Sequence, residues 1–414
     1  MKYESFLKKE MLSAFGCTEP IAIAFGAARV AALLEEEIKH MEAICSANII
    51  KNVKSVIIPN SGGQKSIEVA CALGACTKAY EAELEVLECV NEEMLKQAED
   101  LKHKIDVKLK AGVANLYIQI IATGISGKVA EVIIEYDHTN ITYLRLDDKI
   151  LINNRENNKT QNEEECKLEF DEIYEWCKNG DISEIIPLLK NQIKLNLAIA
   201  EEGLKNNYGS NIGKIVLSQN TKQSRIIAHA AAGSDARMSG CSMPVVINSG
   251  SGNQGITVCV PVALHAKDIN ATEDELYRAL AFANLCAFYL KSGVGKLSAY
   301  CGVVSAGSSA ICGIAMLDKQ PKEIIERTLI NSLAVTSGMI CDGAKPSCAA
   351  KIATALNTAF MGYEQAKRND SFNYDDGIIK NNLENTIKAI STVAKEGMKQ
   401  TDIVILEEMI KKDS

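Results

Sequence analysis

The sequence predicts an α+β protein: a predominantly helical catalytic domain carrying a smaller α+β insert built on an antiparallel sheet. Two changes of pattern predict it. In NLYIQIIATG and KVAEVIIEYDHTNITYLRLDDKILI the apolar residues fall at period two with many β-branched side chains, as antiparallel strands require. From residue 166 onward nearly every segment is helical, Ala- and Gly-rich, and separated from the next by a glycine loop. The predicted organisation is residues 1–80 and 161–414 as the helical domain, with residues 81–160 as the insert.

Along the chain, residues 3–14 read as a short helix and Gly16–Pro20 as a break. Thr18 is the predicted N-cap, with Pro20 in the first turn of an Ala-rich helix over 20–36. Residues 53–75 read as a strand-like apolar run, a glycine loop and a second apolar segment. NEEMLKQAEDLKHK is a charged amphipathic helix, and the polar NNRENNKTQNEEE (153–165) an exposed linker. A weak echo between VIIPNSGGQKSIEV (56–69) and VVINSGSGNQGITV (245–258) raises duplication of a helix–loop unit as one explanation, beside coincidence of two short glycine loops.

Composition narrows the class of partner. The 414 residues hold 47% hydrophobic and 24% charged residues, with a net charge of −8 and no basic cluster interleaved with aromatics, which argues against a nucleic-acid surface. No apolar run reaches membrane-spanning length, and the charged start MKYESFLKKE contains no signal-peptide core, so a soluble cytoplasmic protein is expected. The 14 cysteines are therefore not expected to form disulfides. Cys71, Cys76, Cys259 and Cys286 lie in apolar runs and read as core packing.

Other cysteines stand at breaks. Cys17 precedes a Thr-Glu-Pro helix start, where a helix N-terminus favours a thiolate. Cys301, Cys341 and Cys348, in SAYCGVVSAG and GMICDGAKPSC, each adjoin Gly, Asp or Pro at a helix end. Zinc asks for four Cys or His in short pairs, and this spacing does not supply them. Three thiolates at irregular spacing suit a [4Fe–4S] cluster with one iron free of cysteine, though core filling explains the same residues by spacing alone.

The glycine loops offer a place for a small anion. GSGNQG (250–255) matches a dinucleotide fingerprint literally, but no βαβ unit surrounds it and Pro261 falls too early for a clean long crossover helix. Its backbone donors, with Asn248, Ser249, Ser251, Asn253 and Gln254, suit an amino-acid carboxylate; so, more weakly, do Ser61 and Gly62 in NSGG. Asp235 and Arg237, read as a loop pair in SDARMSGC, are further substrate-binding candidates.

Taken together, GCTEP, DARMSG, INSGSGNQGI, YCGVVSAG and CDGAKPSCAAKI closely resemble the L-cysteine desulfidase family, which is related to the catalytic chain of iron–sulfur L-serine dehydratases. The resemblance spans essentially the whole chain. It implies a [4Fe–4S] enzyme that breaks L-cysteine into pyruvate, ammonia and sulfide without pyridoxal phosphate, with Cys301, Cys341 and Cys348 as cluster ligands. Cys17 corresponds to the family's N-terminal cysteine, as a labile fourth ligand or an acid/base. His138 in YDHTN is a second candidate base, and Lys345 a candidate to pair the carboxylate or temper the cluster's charge. The compressed CDGAKPSC favours cysteine over serine as substrate. L-Serine dehydration by the same chemistry, and a non-enzymatic cluster or zinc protein, are the competing readings. Beyond the amino-acid substrate, a homodimer is one assembly open to such a chain.

Overall fold

The computed structural model describes residues 2–155, 167–295 and 297–411. Helix α1 (Lys2–Glu10) leads through strand β1 (Ser13–Phe15) into the long helix α2 (Thr18–Leu34). After β2 (Ile38–Cys45) come α3 (Ala47–Val53), α4 (Ile67–Thr77) and α5 (Glu92–Leu101). Strands β3 (Ile105–Leu109), β4 (Tyr117–Gly124), β5 (Val129–Glu135), β6 (Ile141–Leu146) and β7 (Lys149–Asn153) follow. Most of the predicted 153–165 linker lies outside the described residues.

The helical part then runs α6 (Phe170–Asn179), α7 (Ile186–Lys205), α8 (Ile212–Leu217) and α9 (Lys222–Met238). The short β8 (Pro244–Val246) precedes α10 (Gly252–Asp268), α11 (Glu273–Ser292), α12 (Gly302–Leu317) and α13 (Lys322–Thr336). Helices α14 (Cys348–Arg368), α15 (Leu383–Thr392) and α16 (Lys399–Ile410) close the chain's described part. The architecture is α+β and dominated by helix, as the sequence predicts. No helix among the described residues is long and apolar enough to cross a membrane.

The larger sheet has the order β3-β2-β4-β5-β6-β7 and is antiparallel except for the β2–β3 pair. It holds two strands the sequence reading passed over, β2 and the β3 that pairs with it. In β2 the buried residues Met41, Ala43 and Cys45 alternate, but a register shift between Ile38 and His40 breaks the phase at the strand's start. Conversely, the apolar run from Val53 to Ile58 is not a strand: it is the end of α3 and the turn after it. Helix α2 covers the sheet, with Gly26 crossing beside Ile120, Val132 and Ile134. Apolar on nearly every side, it is sandwiched between that sheet and α4.

In the helical part α12 is central, packing on α10, α11, α13 and α14. Its sequence GVVSAGSSAICGIAML explains this, because small side chains such as Ala306, Ser309 and Ala310 let several helices approach and are fully enclosed by them. A second sheet is the two-stranded antiparallel ribbon β1–β8, which ties the start of α2 to the glycine loop after β8.

Candidate active site

Four helices begin at one cavity. Its wall includes Cys17, Thr18 and Glu19 from the start of α2, and Ser251, Asn253 and Gln254 from the start of α10. Cys301, Gly302 and Val303 come from the start of α12, and Cys348 from the first residue of α14. A helix N-terminus carries roughly half a positive charge and backbone N–H groups without intrahelical partners. Two buried cations, Arg237 and Lys291, add to that field. The cavity is built for negative charge.

The three predicted ligand cysteines are brought together here. Tyr300 and Ile340 form an antiparallel bridge, in which Cys301 N donates to Met339 O (3.0 Å) and Cys341 N to Ala299 O (2.6 Å). That bridge sets Cys301 and Cys341 side by side, and the Cys301 thiol hydrogen-bonds to the Cys341 sulfur. This bond outweighs burial and, with Lys51, the Gly343 N–H and Lys291, holds the Cys341 thiol below its ordinary value. The same bond and burial push Cys301 well up. Cys348 reaches the cavity because the loop from Cys341 folds back, clipped by ion pairs of Asp342 with Lys345 and Lys351. Its thiol is raised, mainly by burial.

Among the described residues no three His, Cys, Asp or Glu side chains converge to hold a single metal ion. The donor set is instead three sulfurs on one wall of a cationic cavity, which fits an iron–sulfur cluster, whose thiolates bind separate irons.

Cys17 is the N-cap of α2, so Thr18 is the first helical residue and not the cap. The predicted lowering of its thiol does not occur. Burial and the Glu19 carboxylate push Cys17 well up, only partly offset by Arg237. The thiol donates to Glu19 Oε2 at 3.1 Å. Cys17 also shares a small apolar cluster with Val56 and Met238, against which Ala344 and Cys348 pack.

The glycine loop is a two-residue turn. Asn248 and Ser251 exchange both backbone hydrogen bonds (3.1 and 3.0 Å), and the central residues Ser249 and Gly250 have φ of +49° and +74°, the type I′ signature. Asn248 supports the turn from behind, bonding to Asn284 (3.0 Å) and Ser249 (2.9 Å), and does not line the cavity. Pro261 does not prevent a helix: α10 runs through it. The strand before the loop is antiparallel to β1, so no βαβ unit exists there. At about 90 Å³ the cavity is also far below the ~300 Å³ and more that a dinucleotide pocket would need.

Asp235 and Arg237 lie in helix α9, buried, and not in a loop. Asp235 Oδ2 accepts the Gly213 N–H (2.9 Å) and so fixes the start of α8, away from the cavity wall. Arg237 does face the cavity. Its Nη1 donates to Asn253 (3.2 Å), while Nε and Nη2 are buried without partners. Gly252 makes room for it, since a Cβ there would stand 2.3 Å from Arg237 Nε.

The structure separates the other candidates. His138, in the β5–β6 turn, is 1% exposed and lines the cavity, carried there by the insert sheet. Lys345 does not line it; its ammonium serves the loop, on Asp342 and the carbonyl of Gly343. Ser61 and Gly62 also lie elsewhere: Ser61 Oγ closes its own turn with Gln64. Sequence reasoning missed Lys291, Glu19 and Asn52 on the wall, and Lys51 behind it. Burial brings Lys291 down to about 8. Lys51 donates to the Cys341 carbonyl (3.2 Å) and to Asp402 (2.5 Å). Each is a single lysine in a helix, with no sequence mark to separate it from a solvated one.

Sequence comparison places a chain with this fold and this cavity in a known class. The chain belongs to the serine dehydratase alpha-chain family, whose pattern matches residues 81–407. It is 46% identical to a UPF0597 protein of Finegoldia magna over 414 residues, 99% of each chain. It is 40% identical to UPF0597 proteins of Desulfitobacterium hafniense (99% of this chain, 96% of the relative) and Treponema denticola (99% and 98%). Cys17 and Glu19 precede the segment that the family pattern matches.

Proposed function

We propose that the protein is an L-cysteine desulfidase, eliminating sulfide from L-cysteine to leave pyruvate and ammonia after hydrolysis. The observation that carries this reading is the convergence on one cavity of four helix N-termini, an unpartnered Arg237 edge and three thiols. Cys301, Cys341 and Cys348 would hold a [4Fe–4S] cluster, whose cysteine-free iron supplies Lewis acidity to the leaving group.

The protein's own residues do the rest. Arg237 and the N-terminal amides of α10 hold the substrate carboxylate, a bidentate acceptor suited to the free guanidinium edge. The same field steadies the negative charge that develops when the α-proton leaves. His138 and Cys17 are the candidate bases on the wall. Held as a neutral thiol by burial and the Glu19 carboxylate, Cys17 can act as a base only after losing its own proton.

Two features support cysteine over serine: the compressed loop CDGAKPSC, and the apolar cluster of Val56, Met238 and Ala344 beside Cys17 and Cys348. A departing thiol needs fewer hydrogen-bond donors than a hydroxyl does. The family's description favours serine, so the assay compares the two. Anaerobically reconstituted protein is expected to release pyruvate faster from L-cysteine than from L-serine, with sulfide in equal amount. Faster release from serine overturns the substrate assignment, and none from either overturns the reading.

A further inference from the structure

Glu19 is the one carboxylate among the described residues that line this cavity. It is 8% exposed, and no lysine or arginine among the described residues forms an ion pair with it. Its partners are neutral. Oε1 accepts from Asn52 Nδ2 and Oε2 from Cys17 Sγ, each at 3.1 Å, while the one Thr18 hydroxyl proton is shared between Oε2 (3.1 Å) and the nearer Gly250 carbonyl (2.9 Å). A carboxylate offers about four acceptor sites, so one remains. A buried carboxylate bonded only by neutral donors keeps acceptor capacity for a charged donor on a ligand, and a cavity that took only an anion would have no use for it.

We infer that Glu19 binds the α-ammonium of the amino-acid substrate, opposite the carboxylate held by Arg237. The inference rests on the reading of the site as an amino-acid lyase. It adds the rule by which the site selects zwitterionic α-amino acids over carboxylates lacking the amine. The neutral bonds from Asn52, Thr18 and Cys17 fix the carboxylate's direction and leave its charge for the ligand. Thr18 is itself anchored, 2.9 Å from the Gly250 carbonyl of the turn on the cavity's other side.

L-Alanine and propanoate differ only by the ammonium, and neither carries a leaving group. Calorimetric titration of the reconstituted holoenzyme with each therefore needs no turnover, and is independent of whether cysteine or serine is the substrate. The wild type is expected to bind L-alanine roughly 10- to 100-fold more tightly than propanoate, the span of a charged hydrogen bond. Glu19→Gln is expected to remove that preference while leaving propanoate affinity unchanged, and Glu19→Asp to retain part of it. Equal binding of the two ligands by the wild type overturns the inference without any variant. So does a Glu19→Gln protein that keeps the wild-type preference, or one that loses both ligands together while still folded.

Discussion

Asp235 and Arg237 stand two positions apart in one helix and serve different ends. Asp235 fixes the start of α8, and burial, opposed by the Gly213 N–H, raises its carboxyl from 3.8 to about 6. Below the unfolded value both states hold the proton. As pH rises toward the folded value the unfolded chain releases it first, so this contribution to stability is lost across that window, roughly 1–3 kcal/mol. Thermal unfolding of Asp235→Asn should lack that decline, with kinetics little changed. Arg237→Gln should do the reverse: KM for the amino acid rises roughly 10- to 100-fold, with stability and iron content near wild type. Of these residues, Arg237 was legible as a candidate because it lies close in sequence to the glycine loop. Its setting was not, because DARM carries no apolar period and reads as a loop. Small residues and two separately engaged buried charges take the place of an amphipathic stripe there.

At the scale of elements, the site is made of beginnings. Helices α2, α10, α12 and α14 all point their N-termini inward, and the β1–β8 ribbon with the Tyr300–Ile340 bridge sets them in place. Gly252 shows how close the fit is, since a Cβ there would lie 2.3 Å from Arg237 Nε and 2.6 Å from Val245 Cγ2. Gly252→Ala should therefore displace the guanidinium while the fold survives, because the end of a long side chain moves more cheaply than backbone. Substrate kinetics should then resemble those of Arg237→Gln, and a variant with unchanged KM would show that Arg237 does not hold substrate. The glycine loop, the helix break at Cys17 and the cysteine blocks were readable because Gly, Pro and Asp mark breaks in any fold. Strand β2 was not, because its alternation starts after a bulge. Lys51, Lys291 and Glu19 were not, because burial alone distinguishes them.

Across the whole molecule, residues more than 300 positions apart form one wall. Cys17 and Cys348 share an apolar cluster, and His138 arrives on the tip of a hairpin from the sheet. Sequence placed His138 in a strand region where a lone histidine usually meets solvent; only the packing of that sheet against the helical body turns it inward. The net charge of −8 says nothing of this cavity, where helix ends, Arg237 and Lys291 set a local field opposite to the global one. That field is what three thiolates and a carboxylate substrate require.

The central claim is that Cys301, Cys341 and Cys348 hold an open-iron cluster at which L-cysteine is cleaved. The most direct test is anaerobic reconstitution with iron and sulfide, followed by absorption and Mössbauer spectroscopy and a sulfide assay before and after addition of L-cysteine. The account predicts a [4Fe–4S] signal that L-cysteine perturbs, with sulfide and pyruvate released together. It also predicts loss of both signal and release when any one of the three cysteines is changed to serine. A protein that takes up no cluster, or cleaves L-cysteine equally well without one, contradicts it.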